Sequence, residues 1–148
     1  MTILKDILYK VSLETVVGNT NVGINNIRFD SRKVEFNDLF VTIRGTQSDG
    51  HDFIEKATEN GALAIICEEL PKTQVNGITY IKVDNSQSAL AVMASNFYGN
   101  PSENLKLIGI TGTNGKTTIA SLLYQLFKKA GFKVGLISTV EILVDDER

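Results

Sequence analysis

Cysteine, histidine and long runs of one charge are what this sequence has least of. Cys67 is the one cysteine, so no disulfide can close within the chain. It lies in an apolar run, Ala64-Ile65-Ile66-Cys67, where a buried and inert thiol is expected rather than a nucleophile. His51 is the one histidine, and without a cluster of Cys and His a zinc site is not expected. Lys and Arg number 15 against 17 Asp and Glu, for a net charge of -2, and no basic stripe marks a nucleic-acid groove. Any phosphate binding must therefore be local. No apolar stretch approaches the ~20 residues that a helix needs to cross a bilayer. Met1-Thr2-Ile3-Leu4-Lys5-Asp6 has no charged segment leading into an apolar one, so no export signal is expected and the cytoplasm is the simplest compartment. Internal repeats and low-complexity tracts are also missing. What is present is 43% hydrophobic and 22% charged residues in 148 positions, enough for one ordinary domain or two small ones.

From about Asp30 onward strand and helix patterns alternate, which implies an α/β layer structure. Residues 38–43 read as a buried strand ending at Gly45, 62–67 as a second and 78–83 as a third. Asp52, with Glu55 three residues on, predicts a capped short helix whose apolar face is Phe53, Ile54 and Ala57 and which ends at Gly61. Asn85 or Ser86 caps a helix carrying Ala89, Val92, Met93 and Phe97 at helical spacing, stopped by Gly99 and Pro101. Asn100-Pro101-Ser102-Glu103-Asn104 reads as a linker, dividing the chain into domains 1–101 and 102–148.

The second segment differs in kind. Residues 105–110 form a hydrophobic strand pattern, a glycine-rich turn follows, and then a helix with Ile119, Leu122, Leu123, Leu126, Phe127 and Ala130 on one face. Lys128 and Lys129 favour its negative end, Gly131 closes it, and 133–137 begin another strand. The pattern predicts a β-loop-α-β unit with a parallel crossover. The turn, Gly112-Thr113-Asn114-Gly115-Lys116-Thr117-Thr118, has the chemistry of a phosphate site. Backbone N–H groups at a helix start lack intrahelical partners and are available to an anion. Gly112 and Gly115 keep Cβ atoms out of the way, Lys116 supplies a cation for the terminal phosphates, and the Thr117 hydroxyl stands where a bridging magnesium ion would be held. Thr118 is expected to start the helix. The strict Walker spacing requires glycine at 110, where this chain has Ile110, and the dinucleotide fingerprint fails likewise.

That variant loop resembles the Gly-Thr-x-Gly-Lys-Thr-Thr of the Mur ligases, ATP-dependent amide-forming enzymes of peptidoglycan synthesis. A second, distant stretch is similar to the N-terminal domain of the branches that add the third amino acid and the terminal dipeptide. It comprises Asp30-Ser31-Arg32-Lys33-Val34, Asp38-Leu39-Phe40-Val41, Gly45-Thr46-Gln47-Ser48-Asp49-Gly50-His51-Asp52-Phe53-Ile54 and Gly61-Ala62. The wording of the loop, after Tyr98-Gly99-Asn100-Pro101-Ser102, favours the third-residue branch over the dipeptide-adding one. The folate and cyanophycin ligases share the loop and lack the Asp-Ser-Arg domain.

The resemblance implies roles. Domain 1–101 would hold the uridine diphosphate of the substrate through Phe29 and Ser31 and through Thr46, Gln47 and Ser48, although the family commonly has histidine where Thr46 stands. Taken by themselves, Asp30-Ser31-Arg32 reads as a structural turn and 46–50 as a polar loop. Residues 112–118 would bind ATP, with Lys116 catalytic and Thr117 on Mg2+. The implied reaction joins a diamino acid, meso-diaminopimelate by preference, to UDP-N-acetylmuramoyl-L-alanyl-D-glutamate through an acyl phosphate. A small kinase built on the same loop, and a uridine-nucleotide module without catalysis, are the other classes. The resemblance also implies that 102–148 is only the opening of the ATP-binding domain and that the chain is inactive by itself; two parallel strands and one helix would leave apolar faces and strand edges open, so this segment is expected to dock onto the first domain or pair with a second copy. Asp38 is expected to be a strand-entry turn residue, Arg44 a surface or pairing charge, and Asp145-Asp146-Glu147-Arg148 a solvated run rather than a metal cluster.

Overall fold

The structure, a computed structural model, describes residues 1–46 and 48–144. Gln47 and the charge run 145–148 lie outside the described residues. The chain divides into two compact units, Met1–Leu105 and Lys106–Arg148.

In chain order the first unit contains β1 (Thr2–Ile3), α1 (Leu4–Ile7), β2 (Leu13–Val17), β3 (Gly23–Ile24), β4 (Ile27–Arg28), β5 (Leu39–Val41), α2 (Ile54–Glu59), β6 (Ala64–Cys67), β7 (Thr79–Val83) and α3 (Ser86–Phe97). Five strands form one sheet in the order β2-β7-β6-β5-β4. β4 through β7 run parallel, and β2 closes one edge antiparallel to β7. β1 and β3 pair separately. The fold is therefore α/β around a largely parallel sheet.

Strand periodicity explains the core. On β5, β6 and β7 the residues Leu39, Val41, Ala64, Ile66, Ile81 and Val83 face one way and pack with Leu4, Ile7, Ala89 and Met93 of α1 and α3. The intervening Phe40, Ile65, Cys67 and Tyr80 face the other way, onto Ile54 and Ala57 of α2. Both faces are covered, so these strands read in sequence as continuous apolar runs. Asn96 of α3 donates its amide to the carbonyls of Ile7 at 2.9 Å and Tyr9 at 2.6 Å, which ties the helix to the chain's start.

Several expectations are revised. The first thirty or so residues contain elements that periodicity did not reveal, because they are short, and β2 is an exposed edge strand. Asp52 caps nothing. Asp49 does, accepting from the His51 N–H ahead of the 3-10 turn Gly50–Phe53, and α2 follows directly from that turn. Asn85 caps α3 through the Ser88 N–H, and the helix ends at Phe97, before the left-handed pair Gly99 and Asn100. The linker Pro101–Asn104 is itself a 3-10 turn.

The second unit contains α4 (Lys116–Lys129), β8 (Gly135–Ile137) and β9 (Ile142–Val144). The helix begins at Lys116, not Thr118. Residues 105–110 are not a strand, and β8 pairs antiparallel with β9 rather than parallel to an earlier strand. A lone parallel pair gains little, whereas β8 and β9 close through a tight turn in which Ser138 N–H and Oγ both bond the Glu141 carbonyl, each at 3.0 Å. Of the apolar stripe expected on α4, Leu123 and Phe127 are half-buried while Ile119, Leu122 and Leu126 are exposed. The most covered residue of the helix is Tyr124, from outside that stripe.

Candidate functional site

Two groups of residues leave the same end of the sheet. Because β4 and β5 are adjacent and parallel, the chain after Arg28 and the chain after Val41 emerge side by side. In parallel sheets the carboxyl ends of the strands are the usual place for a ligand.

Phe29 follows β4 and is 67% exposed. Ser31 opens a 3-10 turn, is buried, and its carbonyl accepts the Asn60 side-chain amide at 2.8 Å. Asp30 caps that turn. Its carboxylate accepts Arg32 Nε and Nη2, both at 2.9 Å, and the Arg32 N–H at 3.1 Å. The Arg32 side-chain hydrogen bonds, then the backbone one, hold the Asp30 carboxyl down at about 2, and the same pairing raises Arg32. The Asp-Ser-Arg motif is thus a self-capped turn that presents Phe29.

After β5 the chain folds into a hairpin loop. Arg44 and Asp49 pair across it, Gly45 N–H bonds Ser48 O at 2.9 Å, and Gly50 N–H bonds Ile43 O at 2.9 Å. Thr46 and Ser48 are exposed at its tip. Gly50 is required by close approach, since a Cβ there would lie 2.5 Å from Ile43 N. Arg44 is a network residue: its Nε lies 3.2 Å from Asp49 and 3.6 Å from Glu68, and Nη2 bonds Glu69. The Glu69 hydrogen bond is the main cause raising Arg44, and bonds from His51 lower Asp49. Sequence reasoning missed this assembly. Its one signal was a histidine beside Asp49-Gly50, in a chain with no other histidine.

Asp38 is more than a turn residue. It is fully buried, accepts the Glu35 N–H at 3.0 Å, and pairs with Arg28 Nε at 3.2 Å. It belongs to the opposite end of β5 and takes no part in the loop cluster.

In the second unit, residues 112–116 form an exposed loop at the head of α4. Gly112 at φ 149 and Gly115 at φ 79 adopt backbone conformations that L side chains rarely enter. A Cβ on Gly115 would meet nothing within 4 Å, so conformation rather than crowding demands glycine there. The Lys116 ammonium folds back onto its own loop, 2.6 Å from Gly112 O and 3.3 Å from Thr113 O. Thr117 lies half-buried in the first turn, and Thr113, Asn114 and Thr118 are exposed around it. The arrangement offers helix-start N–H groups that have no partner among the described residues, and one cation, which suits a polyphosphate. Among the described residues no group of three His, Cys, Asp or Glu could hold a metal, and no helix is long and apolar enough to cross a membrane.

Both parts of the chain match known proteins. Residues 23–98 match the description "Mur ligase family, catalytic domain" and 110–147 match "Mur ligase middle domain". The chain is 52% identical over 97% of its length to the UDP-N-acetylmuramoyl-L-alanyl-D-glutamate–2,6-diaminopimelate ligase of Cytophaga hutchinsonii. It is likewise 52% identical over 97% of its length to the ligase of the same name from Bacteroides fragilis. It spans 30% of the length of each. Among solved structures, a MurF ligase from Thermotoga maritima in complex with ADP aligns at TM-score 0.53 and 38% identity, covering 70% of this chain and 23% of that one. A UDP-N-acetylmuramoyl-L-alanyl-D-glutamate–2,6-diaminopimelate ligase shares the fold at TM-score 0.69 and 24% identity, over 97% of this chain and 28% of the other. With the family's two consecutive domains matched in order and the loop at the head of the second, the chain belongs to the Mur ligase family.

Proposed function

We propose that the chain supplies the substrate-nucleotide domain (residues 1–101) and the opening of the ATP-binding domain (102–148) of a cytoplasmic, ATP-dependent ligase of peptidoglycan precursor synthesis. The reaction is the joining of a diamino acid, meso-diaminopimelate, to UDP-N-acetylmuramoyl-L-alanyl-D-glutamate through an acyl phosphate. The observation that carries this reading is the loop at the head of α4, in a chain 52% identical over nearly its whole length to ligases of that name.

ATP with magnesium supplies the phosphoryl group when bound. The loop fits such a group: Lys116 rests against two carbonyl dipoles of its own turn, where a polyphosphate is the better partner for an ammonium. In this reading the N–H groups of Gly112, Thr113, Asn114, Gly115 and Lys116 would hold the phosphates, and the Lys116 ammonium would neutralise their charge. The Thr117 hydroxyl would hold the metal, and Thr118 would add a second hydroxyl at the helix start. Phe29, Ser31, Thr46, Gln47 and Ser48 hold the uridine diphosphate, Phe29 as an exposed apolar face and Thr46 and Ser48 as exposed hydrogen-bonding groups.

The test uses a ligase of the relatives' full length that carries this sequence. Lys116→Ala is expected to lower ligation by on the order of a hundredfold or more, the effect of losing one preorganised charge contact. Binding of the UDP substrate is expected to be unchanged in the same protein. Wild-type turnover in Lys116→Ala removes the phosphate role. Lost UDP-substrate binding removes the division of labour between the two domains.

A further inference from the structure

Both ring nitrogens of the His51 imidazole are engaged. Nδ1 lies 2.6 Å from Asp49 Oδ1. Nε2 lies 3.0 Å from the Glu68 backbone nitrogen, 3.3 Å from that of Glu69 and 3.1 Å from Thr42 Oγ1. A backbone N–H only donates, so Nε2 is the acceptor and the ring proton is on Nδ1, donated to the Asp49 carboxylate. One neutral ring thereby joins three pieces of chain. These are the residue that follows β5 (Thr42), the far side of the hairpin loop (Asp49), and the two residues that leave β6 (Glu68 and Glu69). Asp49 returns the connection by accepting the His51 N–H at 2.9 Å, and Arg44 braces it from the other strand of the loop. The tip residues Thr46 and Ser48 are exposed, and among the described residues the bond from Gly45 N–H to Ser48 O is the one that bridges them, so their placement depends on this frame.

We propose that His51 is a positioning residue: its neutral, Nδ1-protonated ring holds residues 44–46 and 48–50 in the geometry in which Thr46 and Ser48 meet the diphosphate of a uridine nucleotide. The inference rests on the nucleotide-binding role given to that loop above. Hydroxyls at a hairpin tip contribute to affinity only if the tip is ordered before the ligand arrives, since ordering it on binding subtracts from the gain. Phenylalanine at 51 would fill the ring's volume and leave the Glu68 and Glu69 N–H groups without their acceptor. Glutamine would place an amide oxygen near the position of Nε2 and restore that acceptor.

The experiment uses the 15N-labelled chain and UDP as the probe. Without ligand, the imidazole nitrogen shifts at neutral pH are expected to report the Nδ1–H tautomer, and the Glu68 amide is expected to exchange slowly. UDP affinity is expected to fall by about tenfold in His51→Phe, on the scale of one charge-assisted bond, and to recover most of that loss in His51→Gln. A protonated or Nε2–H ring in the wild type overturns the proposal, as does wild-type UDP affinity in a folded His51→Phe. Should His51→Phe fail to fold, the tautomer and His51→Gln decide: near-wild-type affinity with a slow Glu68 amide supports the role, and loss of affinity in a folded His51→Gln overturns it. Absence of any UDP-induced shift in the wild type sinks the nucleotide reading of the loop; the fastening role of the ring is then judged by tautomer and exchange alone.

Discussion

At the scale of single residues, the motif Asp30-Ser31-Arg32 makes a measurable electrostatic statement. The Asp30 carboxyl is held near 2 by Arg32, against an ordinary value of 3.8. A depressed folded value means that its contribution to stability is fully present above pH ~3.8 and is lost as pH falls through ~2. Carboxyl NMR titration should therefore find Asp30 ionised to about pH 2, and Arg32→Ala should return it toward 3.8; an unmoved midpoint in that variant would assign the shift elsewhere. Asp38 makes the complementary case in the interior. Its buried carboxylate depends on Arg28 Nε and the Glu35 N–H. Replacing Arg28 with methionine keeps the apolar stem and strands the charge, which should cost about 2 kcal/mol in urea unfolding. No change in the midpoint would mean that solvent already screens the pair.

Among the elements, what was legible in the sequence and what was not divides along physical lines. β5, β6, β7 and α3 were legible because both faces of the strands and one face of the helix are buried in the same core, and burial writes a long apolar pattern. β1, β3 and β4 are two residues each, too short for any period to register. The α2 cap was assigned to Asp52 because a capping box looks only at spacing. The chain enters that helix through a 3-10 turn, so the capping carboxylate is three residues earlier, at Asp49. The phosphate loop was legible as residue types and spacing, whereas the His51 assembly was not, because its partners Thr42, Glu68 and Glu69 come from separate strand ends. Of the two residues read as possible α3 caps, Asn85 is the cap, and it permits a prediction. Asn85 Oδ1 accepts the Ser88 N–H at 2.8 Å. Asn85→Ala should lower stability by about 1 kcal/mol, with Asn85→Asp restoring most of it. If Asn85→Ala unfolds at the wild-type denaturant concentration, water replaces the cap at no cost.

Across the whole molecule the two units differ in how completely they bury what they make. In Met1–Leu105 the central strands have both faces covered, and Leu39, Val41, Ile65, Ile66 and Ile81 are shut off from solvent. In the other unit Leu107 is 90% and Ile137 85% exposed, and Ile119, Leu122, Leu126, Val140, Ile142 and Val144 are also exposed. Each large apolar side chain left in water forgoes roughly 1.5–3 kcal/mol of burial. The two-stranded hairpin β8–β9 is marginal on its own, and among the described residues no third strand joins its sheet. Stability should therefore be uneven. Amide exchange on dilute protein is expected to be slowest at Leu39–Val41 and Ala64–Cys67, and fast throughout residues 105–110. Raising the concentration should slow exchange in β8 and β9 as apolar surface and strand edges find a second copy, with sedimentation showing the matching self-association. Equal protection of β5 and β8 in a strictly monomeric sample would contradict this, because it would require the second unit to be as cooperatively packed as the first while leaving most of its large apolar side chains in water.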